Sequence, residues 1–102
     1  MASKKEQSDQ DSGEAVGAYL RSLREASGKT VIEIAHSVGI DSSQIWRIER
    51  GKSDPKSSTM FKFVALVGGD VYDLALLINN PDATREDGEN LARLRRSKVR
   101  QG

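Results

Sequence analysis

The stretch TVIEIAHSVGIDSSQIWRIERG, residues 30–51, decides the reading of this chain. Thr30 followed three positions later by Glu33 is a capping-box signature, in which each residue's side chain satisfies the other's backbone amide at a helix start. Ile32, Ile34, Ala35 and Val38 then supply the apolar positions of a short helix that Gly39 ends. Asp41 with Gln44 repeats the capping logic, and Ser42 to Arg50 reads as a second short helix stopped at Gly51. The link Val38-Gly39-Ile40-Asp41 is so short that the two helices must cross steeply, and glycine supplies the permissive backbone for that turn.

Winding the second helix at about 100° per residue puts Ile45 and Ile48 on one side. Ser42, Ser43, Trp46, Arg47 and Arg50 fall on a broad arc opposite. Short hydroxyl side chains near the helix start and arginines further along can reach the donors and acceptors of base edges or phosphates. Lys52, Ser53 and Lys56 follow, where a lysine just past such a helix would sit over a sugar-phosphate backbone. Trp46 has two readings: contact with thymine methyls or the sugar backbone, or folding down over the loop near Lys52.

Three further helices complete an all-α pattern. Upstream, Val16, Tyr19, Leu20, Leu23 and Ala26 make one apolar stripe closed by Gly28. Downstream, the hydrophilic loop GKSDPKSS contains Pro55, which forbids helix continuation. Met60, Phe61, Phe63, Val64, Leu66 and Val67 form a more apolar helix closed by Gly68 and Gly69. Asp70 with Asp73 opens a fifth helix carrying Val71, Leu74, Ala75, Leu77 and Ile78, ended by Asn79, Asn80 and Pro81. The organisation expected is a disordered tail over 1–13, a compact five-helix domain over 14–80, and a basic tail over 81–102 that is either a weak helix or disordered.

A chain of 102 residues can bury one modest core. It has no cysteine, which fits a reducing compartment. No stretch approaches the roughly 20 apolar residues of a membrane span, and the N-terminus lacks the apolar block of a signal peptide, so the expectation is a cytoplasmic protein. The net charge is only +1, and its arrangement is uneven: −1 over 1–13, zero over 14–80 and +2 over 81–102. His36, the single histidine, has no second ligand at metal spacing and reads as surface. No nucleophile-base pair, metal cluster or phosphate-binding glycine loop is present, so neither an enzyme nor a cofactor is expected.

The chain resembles the lambda-repressor-like helix-turn-helix domains of phage repressors, Cro proteins and bacterial Xre-type regulators. The resemblance runs from LRSLREASGKT through TMFKFVALVGGDVYDLALL, about two thirds of the chain. Its most specific pieces are Glu33-Ile34-Ala35, Val38-Gly39-Ile40, Ile45-Trp46-Arg47-Ile48-Glu49-Arg50-Gly51 and Pro55. It implies that Ser42, Ser43 and Arg47 contact bases, that Thr30, Lys52 and Ser53 contact phosphates, and that Arg24 bridges to Glu49 to orient the reading helix. Two positions depart from the pattern. Val31 replaces a glutamine that caps the preceding helix against a phosphate, which weakens that clamp, and Gly69 replaces a core aliphatic, which would loosen the entry to the fifth helix.

Leu76, Leu77 and Ile78 are consecutive, giving the fifth helix more apolar surface than one side of a small core covers. The expected assembly is a homodimer that places two reading helices about 34 Å apart on an imperfect palindrome of double-stranded DNA. The expected function is a transcriptional regulator, most simply a repressor, in a bacterium or encoded by a phage and nucleoid-associated when bound. The alternative is an antitoxin-like module that holds a protein partner through its tails and binds DNA for autoregulation.

Overall fold

Thr30 and Glu33 form the expected reciprocal cap: the Glu33 amide donates to Thr30 Oγ1 at 3.1 Å and the Thr30 amide to Glu33 Oε1 at 2.8 Å. They open a helix that ends at Gly39, whose φ of 86° lets the next amide, that of Ile40, turn back 3.1 Å to the Ala35 carbonyl. In the computed structural model, which describes residues 2–101 and the side chains of 13–97, this is the second of six helices. They are α1 (Ala2–Ser27), α2 (Val31–Val38), α3 (Ser42–Glu49), α4 (Ser57–Leu66), α5 (Val71–Ile78) and α6 (Arg85–Gln101). Among the described residues there is no strand. Of the tail expected over 1–13, only Gly13 falls within the residues whose side chains are described.

The core is a single cluster. Tyr19, Leu20, Ile34, Ile45, Phe63 and Val64 are its largest fully buried members, so α1 to α4 all contribute. In α2 the inward face is Val31, Ile34, Ala35 and Val38, while Ile32, expected among the apolar positions, is 71% exposed. Gly69 does not loosen the entry to α5. A Cβ added there would meet Val64 and Leu23 methyl groups and the Tyr19 hydroxyl, so neighbours already fill the space an aliphatic would take.

The sixth helix corrects the five-helix expectation. Its start is a capping box, with the Asp87 amide donating to Thr84 Oγ1 and the Thr84 amide to Asp87 Oδ2. α6 lies along α1 in the most extensive helix pairing of the fold. Gly88 meets Ala15, and Arg96 and Ser97 sit beside Ala26 and Ser27, so the two helices run in the same direction. Gly88 approaches so closely that a Cβ would collide with the Ala15 carbonyl oxygen. Ala83 and Ala92 are fully buried beside it.

Asp73 was expected to help cap α5, but its carboxylate turns inward instead. The cap is Asp70, whose Oδ1 accepts from the Tyr72 amide at 2.8 Å. Asp73, 2% exposed, accepts the Tyr19 hydroxyl at 2.7 Å and both Nε and Nη2 of Arg95, at 3.0 and 3.2 Å. The Tyr19 oxygen in turn accepts the Asp70 amide at 3.0 Å. Burial, and then the hydrogen bond to Asp73, push the Tyr19 phenol far above its ordinary value. Four groups from α1, α5 and α6 thereby satisfy one another inside the fold.

Candidate nucleic-acid interface

The reading helix is held from behind by a buried ion pair. Arg24 Nε donates to Glu49 Oε2 at 2.6 Å and Nη2 to Oε1 at 3.1 Å, with the two side chains 10% and 1% exposed. The remaining guanidinium nitrogen, Nη1, donates to the Lys29 carbonyl at 3.0 Å. One arginine thus ties α1 to the end of α3 and to the residue preceding the Thr30 cap. The hydrogen bonds to Glu49 raise the Arg24 pKa further, so its charge is permanent. A two-point Arg–carboxylate contact fixes direction as well as distance, which is what a helix presented to a partner requires.

Just past that same end of α3 the chain turns through Gly51, φ 72°. The Gly51 amide bonds the Ile48 carbonyl at 3.0 Å and the Lys52 amide bonds the Arg47 carbonyl at 2.8 Å, the paired bonds of a Schellman close. The helix start is different from expectation. Asp41 makes no side-chain cap; the Gln44 amide, which the expected cap would have as its donor, donates to Asp41's own carbonyl at 3.0 Å. Gln44 therefore returns no cap contact and stands exposed on the outer surface.

With Ile45 and Ile48 at 0% and 4% exposure, α3 has one face in the core. Ser43, Gln44, Trp46, Arg47 and Arg50 are exposed, and Ser42 is half-buried at the helix start. Thr30, Lys52, Ser53 and Lys56 are exposed as well, Thr30 at the start of α2 and the others in the α3–α4 loop. Val31, where a phosphate-directed glutamine was the pattern, is buried at 7%, so its side chain serves packing. The Arg50 guanidinium carbon stands 5.6 Å from the centroid of the Trp46 ring. His36 is exposed, and among the described residues no group of acids, histidines or cysteines could hold a metal ion. No helix among them is long and apolar enough to cross a membrane.

Of the three residues expected at a surface for a second copy, the structure separates one. Leu77 is 4% exposed and belongs to the core, because successive residues of a helix point about 100° apart and only one of three can face inward. Leu76 and Ile78 remain outside at 46% and 57%, alongside Val71 and Tyr72. Next to them an open groove of about 700 Å³ is lined by Ile48, Gly51, Met60, Phe61, Val71 and Ile78, among others.

Two helices crossing at a short glycine turn, the second with its isoleucines inward and its polar residues outward, define the architecture. A family model described as a helix-turn-helix domain matches residues 15–77. The chain belongs to the helix-turn-helix domain family. It is a DNA-binding domain of that class. An uncharacterized 15.4 kDa protein in the HgiDIIM 5' region of Herpetosiphon aurantiacus is 42% identical over 78 residues, 76% of this chain and 56% of that protein. The chain therefore spans little more than half of that relative's length. The crystal structure of the clp gene regulator ClgR from Corynebacterium glutamicum shares the fold, with a TM-score of 0.63 at 22% identity over 91% of this chain and 92% of that one.

Proposed function

We infer that the protein is a sequence-specific regulator of transcription that binds double-stranded DNA by inserting α3 into the major groove, and that it acts by occupancy, most simply as a repressor. The observation that carries this is the division of α3: Ile45 and Ile48 anchor it in the core, Glu49 is gripped by Arg24, and the exposed arc is left to hydroxyl, amide and guanidinium groups. Those are the groups that read base edges. Ser42, Ser43 and Arg47 are the base-contacting residues, and Gln44, one turn before Arg47 on the same face, joins them. An amide pairs naturally with adenine and a guanidinium with guanine. Thr30, Lys52, Ser53 and Lys56 lie on phosphates and set register without reading sequence.

The active form is a homodimer that joins through Leu76 and Ile78, with Val71 and Tyr72 beside them, and the target is a two-fold operator with half-sites about one helical turn apart. That a gene regulator shares the fold is consistent with a regulatory role for this chain. Selection of bound sequences from a random duplex pool tests the reading. A two-fold symmetric motif is expected. Recovery of no common motif, with affinity set by salt alone, would refute it.

A further inference from the structure

Trp46 and Arg50 lie one turn apart on the outer face of α3, and the arginine's charge stands 5.6 Å from the indole centroid. Resting on the DNA-binding reading above, we propose that Trp46 is a positioning residue: its ring is a platform that holds the Arg50 guanidinium in place for a phosphate, and it reads no base.

The geometry has a backbone basis. Arg50 is the C-cap of α3, with φ −94° and ψ 0°, and its amide bonds the Trp46 carbonyl at 3.1 Å. The Schellman close at Gly51 and Lys52 then pins the chain immediately after it. The backbone of Arg50 is thus fixed, while its long side chain carries rotamer freedom that a phosphate contact would have to remove. An aromatic face one turn back lowers that loss, because the ring's negative face attracts the guanidinium and excludes other rotamers. Trp46 is 43% exposed and Arg50 is exposed, so the stack contributes little to the core. Its consequence is where a positive charge sits, at the end of α3 that leads into Lys52 and Ser53.

Arg47 lies on the same helix but is not the residue over the ring. The outer face of α3 therefore divides into a row of Ser43, Gln44 and Arg47 for bases and a row of Trp46 and Arg50 for the backbone.

Trp46→Ala, Trp46→Phe, Arg50→Ala and the double variant Trp46→Ala with Arg50→Ala are compared in the full chain. In the free protein, proton NMR should find the Arg50 side-chain methylenes shifted upfield by the ring, an effect lost in Trp46→Ala and kept in Trp46→Phe. On the duplex recovered from the random pool, Trp46→Ala should weaken binding about two- to fivefold. Trp46→Phe should recover most of this, and the double variant should bind no worse than Arg50→Ala alone. Arg50→Ala should lower the salt slope by about 0.9, and neither single variant should change the bases selected. Unshifted Arg50 methylenes, additive losses, or a changed base preference in Trp46→Ala would overturn the platform role while leaving the regulator reading intact. If the wild-type chain bound no duplex at all, both would fall together.

Discussion

Arg95 of α6 closes both oxygens of Asp73 of α5, its Nε on Oδ2 and its Nη2 on Oδ1. Asp73 is almost wholly buried, so removing Arg95 would take away two of the hydrogen bonds that satisfy its carboxylate inside the fold. Arg95→Ala should therefore lower stability by about 1–3 kcal/mol, less than for a fully buried pair because the Arg95 side chain is 24% exposed. The urea midpoint measures it. A midpoint equal to wild type would show that α6 is not held by this contact.

The same network makes an alkaline prediction. The Tyr19 pKa is raised in the folded state, by burial first and then by its bond to Asp73. A raised pKa means the folded state favours the neutral phenol, so its contribution is fully present below the unfolded value of about 10 and is lost as pH rises beyond it. Unfolding free energy should fall more steeply above about pH 10 in wild type than in Tyr19→Phe. Parallel curves would contradict the burial of the hydroxyl.

Gly88 offers a test by sign. Glycine to alanine inside a helix ordinarily stabilises by roughly 1 kcal/mol. Here the added Cβ would strike the Ala15 carbonyl, so Gly88→Ala should destabilise and lower the thermal midpoint. A raised midpoint would mean that α6 does not approach α1 so closely.

Ile78 and Leu76 are both exposed, whereas Leu77 is core. Ile78→Asp should leave folding near wild type by circular dichroism, reduce the light-scattering mass from dimer to monomer, and weaken binding to a two-fold operator. A wild-type mass equal to the monomer across micromolar concentrations would remove the dimer.

The legible parts of this chain are those where large apolar residues repeat at helical spacing or a short polar signature marks a boundary. Thr30 and Glu33 start α2 as read, and Ile45 and Ile48 turn inward as read. α6 was obscure because its buried face is built from Gly88 and Ala92, small residues that leave no hydrophobic stripe, although Thr84 with Asp87 marked its start. Asp73 reads as a capping acid because its true partners, Tyr19 and Arg95, are distant in sequence, so nothing local shows that an acid can be buried there. Gln44 reads as a capping partner from its spacing to Asp41, and a side-chain signature cannot reveal that its amide will choose the Asp41 carbonyl over the carboxylate.

In the proposed complex α3 offers its outer arc to the major groove, with Arg47 reading a base. This arrangement is tested most directly by repeating the duplex selection with Arg47→Ala. Arg47→Ala should lose about 1–3 kcal/mol in affinity for the wild-type site and relax the preference at one position of each half-site. Lys52→Ala, by contrast, should weaken all sequences alike and reduce the salt slope. Unchanged affinity and unchanged base preference in Arg47→Ala would contradict the claim.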